Sequence, residues 1–223
     1  FTLERFRGDD YRRVADALGE AGRSVTFHAP FMDLRPGAVD PVIRQASVDR
    51  IQQVFELAPL FRPRSIVCHP SFDHRYYVST EELWLENSIR TWTSFSRLAM
   101  DLGTTVALEN VYERTPRPLE RLLAACDSPR LRFCFDTGHG HMTRNGEALI
   151  RDLAPFLRYV HLADNHGEHD DHCGFRLGSV PWDRYFLALR EAGFAGRFCV
   201  EFPVREDLGP FRACLAELRE FFH

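Results

Sequence analysis

RFCFDTGH, residues 132–139, decides how the chain is read. Phe133, Cys134 and Phe135 make a short apolar run of the kind that a strand buried on both faces shows. The run stops at Asp136, and His139 follows three residues later, in a place where a buried strand has no use for charge. The same grammar recurs in SVTFHAPF (24–31), SIVCHPSF (65–72), TVALEN (105–110), RYVHLADN (158–165) and FCVEF (198–202). Each apolar run closes on a histidine or carboxylate: His28, His69, Glu109, His161 and Glu201. A few residues beyond His161 lie Asp170 and His172. In a parallel (β/α) barrel the C-terminal ends of the strands face one point, so residues this far apart in sequence can share a site. Imidazole and carboxylate together suit Zn, Mn or Fe better than Ca or Mg, and the expected cofactor is Zn, with Mn or Co as alternatives.

Between the strands the apolar period changes to 3.6. Asp40 followed by Pro41 is an N-cap with proline at the first helical position, and it opens a helix over 41–58. Val42, Ile43, Ala46, Ile51, Val54, Phe55 and Ala58 are read as its inward stripe. A long helix is expected over 80–102, capped by Thr80 and stopped by Gly103. Shorter helices are expected over 116–126, 146–156, 181–193 and 209–222, with an amphipathic one over Asp9–Gly22 ahead of the first strand. Alternating strands and helices mean an α/β fold with a parallel sheet. Six strands are visible, over 24–28, 65–69, 105–109, 131–136, 158–162 and 198–202, where a closed barrel needs eight. The expectation is a single (β/α)8 TIM-barrel-type domain over residues 1–223, N-terminally incomplete and lacking its first two strands. Two open sheet edges would then invite self-association.

Composition narrows the function. All 28 basic residues are arginine, which excludes Schiff-base lysine chemistry and the P-loop lysine. A net charge of −4 without a basic stripe argues against nucleic acid as a partner. No apolar run approaches the roughly 20 residues of a membrane span. The six cysteines form no C-x-x-C pair, and Cys68, Cys134 and Cys199 fall inside the apolar runs as small hydrophobes, so a cytoplasmic location is expected.

With these motifs in hand, the chain resembles the xylose-isomerase-like TIM barrels, the superfamily of endonuclease IV, sugar epimerases and inosose dehydratases. HAPF, CHPSF, ALEN, CFDTGHGH, HLADN, the D-D-H segment and VEF carry the resemblance, in order, over essentially the whole chain. It implies up to three metal ions. His28, His69 and Glu109 would hold one; Glu109, Asp136, His161 and Glu201 a second; His139, Asp170 and His172 a third. Asn110, Asp164, Arg176 and Trp182 are candidates for substrate contact, while His74, His141, His166 and His223 are expected in solvent or loops. Two chemistries are open. Hydrolysis of a sugar-phosphate or phosphoester at a multinuclear zinc-type site is favoured by the surplus of ligands. The alternative is isomerisation or epimerisation of a sugar with one metal, Glu109 and Glu201 exchanging protons and His139 touching substrate. An inactive metal-binding fragment is the third reading, since the fold alone selects no chemistry.

Overall fold

The computed structural model describes residues 8–203 and 208–222, and His223 lies outside them. Six parallel strands follow one another in chain order, separated by helices, as in a (β/α) barrel of the TIM type that holds eight. By compactness the chain divides into two units.

The first unit holds α1 (Gly8–Glu20), β1 (Phe27–His28), α2 (Pro41–Glu56), α3 (Ala58–Phe61), β2 (Ile66–Cys68), α4 (Glu81–Asp101) and most of β3 (Val106–Glu109). Phe27 stands opposite Ile66 and Cys68 opposite Leu108, all three strands parallel. Ile66, Val106, Ala107 and Leu108 are fully buried, which explains why these runs are apolar without alternation. Asp40 caps α2 as read: its Oδ1 accepts from the backbone N–H of Val42 at 2.7 Å and Ile43 at 3.2 Å. The stripe of α2 is corrected, however. Val42 and Ile43 are exposed, and the buried face runs Ser47, Ile51, Val54 and Phe55. The capped first turn lies in solvent, and burial begins one turn later at Ser47. Trp84, Trp92 and Phe95 fill the space under α4, and Gly103 ends it at φ 69°. Thr80 precedes α4 but makes no side-chain capping bond. Helix α1 has no buried residue, so its apolar side covers nothing fully.

The second unit holds Glu109, α5 (Arg117–Cys126, to Ala124), β4 (Leu131–Asp136, from Phe133), α6 (Thr137–Met142), α7 (Gly146–Asp152), β5 (Leu157–Leu162), α8 (Trp182–Glu191), β6 (Arg197–Val200) and α9 (Gly209–Phe222). Asp136 stands opposite His161, and Leu162 opposite Val200. Strands β4 and β5 are buried through their C-terminal halves. Strand β6 is not, and among the described residues it pairs only with β5. Cys199 is therefore exposed, which corrects its reading as a buried hydrophobe. The expected helix over 146–156 stops at Asp152, and Leu153 to Phe156 form a turn into β5.

Removing the α2 cap isolates one local contribution. Asp40→Ala should lower the unfolding free energy by about 1 kcal/mol, read by chemical denaturation, with Asp40→Asn close to wild type. An Asp40→Ala curve superimposable on wild type would show that the cap contributes nothing.

Candidate metal and acid–base site

The site is assembled in the second unit, at the C-terminal ends of its strands. Glu109, Asp136, His161 and Glu201 offer one ligand atom each, all within 4.8 Å of one another. His161 Nδ1 lies 3.4 Å from Glu109 Oε1 and 3.0 Å from Glu201 Oε1, so one imidazole nitrogen meets both glutamates. Glu109, Asp136 and His161 are buried, and Glu201 is half-buried.

Local chemistry explains how each side chain is held. Asp136 ends β4 and caps the short helix α6, its Oδ1 accepting from the His139 N–H at 2.7 Å. Asn110 fixes the backbone of Asp136 from both sides: its Oδ1 accepts from Asp136 N at 2.9 Å, and its Nδ2 donates to Asp136 O at 3.2 Å. The Thr137 hydroxyl donates to Ala163 O and accepts from Ala163 N, tying the end of β4 to the end of β5. The remaining Asp136 oxygen, Oδ2, is buried and accepts no hydrogen bond from any described residue. A buried carboxylate oxygen in that condition is costly unless a cation faces it. Three carboxylates and one imidazole within 4.8 Å therefore fit a single divalent ion.

Electrostatics point the same way. Burial pushes the Asp136 carboxyl up to about 6, against the attraction of His139, and Glu109 pushes it further. Burial works against the charged form of His161, yet Cys134 and Glu109 raise its pKa well above the ordinary value. His139 behaves alike: burial lowers it, while Asp136, Asp170 and Glu109 outweigh burial and raise it well above normal. Without a cation, protons take up the charge that a metal would otherwise balance.

His139 Nδ1 lies 3.3 Å from Asp136 Oδ1 and 3.6 Å from Glu109 Oε1, and its Nε2 lies 3.3 Å from Asp170 Oδ2. The same Asp170 oxygen is 3.2 Å from His172 Nε2, and His172 Nδ1 donates to Glu201 O at 2.5 Å. His139, Asp170 and His172 are thus brought into one hydrogen-bonded chain that returns to Glu201. They are not among the compact ligand clusters of the described residues. His172 is raised to about 9, chiefly by its bond to Asp170. Burial opposes the Asp170 carboxylate, but His139 and His172 hold its pKa well below the usual range.

His28 and His69 end strands of the first unit. Their rings pack edge to face at 5.0 Å, and Phe31 stacks on His69 at 4.6 Å.

The residues considered for substrate contact have other work. Asn110 holds Asp136. Asp164 is fully buried, its Oδ1 accepting from Asn165 N and Val180 N and its Oδ2 from Trp182 Nε1 at 2.9 Å. Trp182 is 2% exposed and packs on Phe175 and Phe186, inside the helix layer. Arg176 makes a two-pronged ion pair with Glu217 and a further bond to Asp183. His141 bonds Ser179 Oγ at 2.9 Å, and His166 is exposed in a loop.

Two residues near the site escaped the sequence reading. Cys134 shares a cluster with Glu109 and His161, and burial pushes its thiol up to about 12. Its position two residues before Asp136, hence on the same strand face, was the available signal. Glu113 is buried, its Oε2 accepting from Val111 N and Tyr112 N, and burial raises its carboxyl to about 7. Nothing in the sequence around Glu113 distinguishes it from a solvated loop acid.

Comparison with known proteins places the chain in a family. An uncharacterised protein of Methanocaldococcus jannaschii, MJ1311, is 27% identical over 186 residues, covering 79% of this chain and 64% of that protein. Ketose 3-epimerase of Arthrobacter globiformis is 27% identical over 196 residues, covering 84% of this chain and 66% of the enzyme. The chain spans 64–66% of the length of these curated relatives. Among solved structures, a D-tagatose 3-epimerase-like protein superposes with a TM-score of 0.84 at 22% identity, over 96% of this chain and 84% of that one, a likeness of fold. The family described as xylose isomerase-like TIM barrel matches residues 2–221, and the chain belongs to that family.

Proposed function

We propose that the protein is a divalent-metal-dependent sugar epimerase or isomerase, with a ketose as the class of substrate. The observation that carries this reading is the pairing of Glu109 and Glu201 at His161 Nδ1, in a set with Asp136 that fits one ion. Similarity to a ketose 3-epimerase supports it. The multinuclear hydrolase favoured by counting ligands has weaker support, because Asp170 bonds to two histidines and His172 to a backbone carbonyl. Arg176, the candidate for gripping a phosphate, is engaged by Glu217 and Asp183. Three carboxylates among four ligands favour Mn or Co over Zn.

Glu109, Asp136, His161 and Glu201 would hold the ion, which would supply Lewis acidity at the substrate carbonyl and make the adjacent C–H more acidic. Glu109 and Glu201 then act as an acid–base pair: one carboxylate removes the proton from the carbon, and the other returns one to the opposite face. His139 stands beside Glu109 and Asp136, at the edge of the acid–base pair where a substrate would lie. Asn110 and Thr137 keep Asp136 and His139 in register through the backbone.

The test is incubation of the Mn-loaded protein with ketohexoses in D2O. Epimer formation with one deuteron incorporated at the inverted carbon is expected, and Glu109→Gln and Glu201→Gln should each lower the rate by about 10²-fold or more. Hydrolysis of phosphoesters with no change in any ketose would overturn the proposal.

Metal content separates the readings independently. His172→Ala should keep one equivalent of metal per chain by elemental analysis, with a reduced but measurable epimerisation rate. Loss of a whole equivalent would support the multinuclear site.

Loading should also depend on pH in a defined direction. His161 has a raised pKa and holds its proton in the neutral range, and the proton must leave when a nitrogen ligates the ion. Apparent Mn affinity should therefore rise with pH through neutrality, about tenfold per pH unit for each proton displaced. Titrations at pH 6 and pH 8 giving the same affinity would contradict this charge state.

A further inference from the structure

We propose a second, surface cation site on the loop between β5 and α8, formed by His166, Asp171 and Cys173 and suited to a zinc-class ion. An imidazole nitrogen, a carboxylate oxygen and Cys173 Sγ lie within 4.8 Å of one another there. None of the three belongs to the Glu109, Asp136, His161 and Glu201 set, and the inference does not depend on the epimerase reading.

The backbone presents these residues together. Asp164 and Cys173 form an antiparallel bridge, with Cys173 N donating to Asp164 O at 2.7 Å and Asp164 N to Cys173 O at 3.3 Å. The bridge closes the loop at its base, and the base is anchored by the buried Asp164 carboxylate. Gly167, at φ 85°, turns the chain just after His166, and its N–H donates to Asn165 Oδ1. His166 and Asp171 are exposed and Cys173 is half-buried, so sulfur sits at the foot of the cluster and the two harder ligands at its mouth. A free ion can reach all three from solvent.

The donor chemistry distinguishes this site from the core one. Sulfur, nitrogen and oxygen together form a borderline-soft set that selects zinc-class ions, whereas the core set is mostly oxygen. On binding, the Cys173 S–H bond breaks, the proton goes to solvent, and the electron pair on sulfur is donated to the ion with no change of oxidation state.

Cobalt(II) serves as the probe, because thiolate ligation gives a near-ultraviolet charge-transfer absorption that oxygen and nitrogen ligation do not. Metal-stripped protein titrated with Co(II) should show this absorption. Cys173→Ser should abolish it, and His166→Ala should weaken Co(II) binding at least tenfold, with thermal unfolding confirming that each variant folds. In the wild-type protein, which needs no variant, Zn(II) should slow alkylation of Cys173 at least tenfold by peptide mass spectrometry. Absence of a thiolate–cobalt absorption, its survival at full intensity in Cys173→Ser, or undiminished alkylation of Cys173 under Zn(II) would each overturn the proposal.

Discussion

The structure turns on a charge that has to be kept in a dry place. The Asp136 carboxylate is 1% exposed at the end of β4, with Glu109 beside it, also 1% exposed. Placing two carboxylates there is unfavourable on both counts, desolvation and mutual repulsion, unless positive charge is supplied nearby. His139 and His161 supply part of it and are held strongly basic by those carboxylates. The Asp136 oxygen left over by the α6 cap is the place where a metal ion would complete the balance. The surrounding bonds make sense as supports for that arrangement. Asn110 gives Asp136 both halves of its amide, and Thr137 bridges two strand ends where a slip of one residue would turn Asp136 and His161 away from each other.

The same constraint explains what the sequence makes legible. Buried parallel strands are apolar throughout, so a histidine or carboxylate that closes such a run stands out, and Glu109, Asp136, His161 and Glu201 could all be picked out that way. The six strands were legible for the same reason, as were the capped helices such as α2. Features set by tertiary context were not. Helix α6 is six residues of TGHGHM, too glycine-rich and too short to show a period, and it exists because Asp136 caps it. Val42 and Ile43 look like core on periodicity alone, but the first turn of α2 is left in solvent. Cys199 follows the pattern of a buried strand and is exposed because β6 pairs on one side only among the described residues.

Polar residues beside a site are harder to assign than ligands, and the loop after β5 shows why. Asp164, Arg176 and Trp182 all follow His161 closely and could as well line a pocket as build the loop that frames one. Only the three-dimensional partners decide. Asp164 spends its carboxylate on two backbone N–H groups and the Trp182 indole, and a Cβ at Gly178 would lie 2.4 Å from the same carboxylate oxygen. That position must stay glycine for the loop to close over Asp164. Arg176 spends its charge on Glu217 of α9, tying the far end of the chain to the loop. At its exposure this ion pair contributes little stability, and its effect is one of placement.

Placement is what acid–base chemistry between two glutamates demands. Glu201 lies just beyond β6, and its side chain meets Glu109 at His161 Nδ1, the placement the proposed exchange of a proton between the two would need. Its carbonyl accepts from His172, whose other nitrogen faces Asp170, which in turn faces His139. The loop that Asp164 anchors therefore carries the two residues, Asp170 and His172, that connect the backbone of Glu201 to the imidazole beside Glu109. On the epimerase reading, these residues hold the geometry of the acid–base pair without themselves ligating a metal. On that reading, a loop assembled around one buried aspartate helps set the relative position of Glu109 and Glu201, the two carboxylates proposed to exchange the proton.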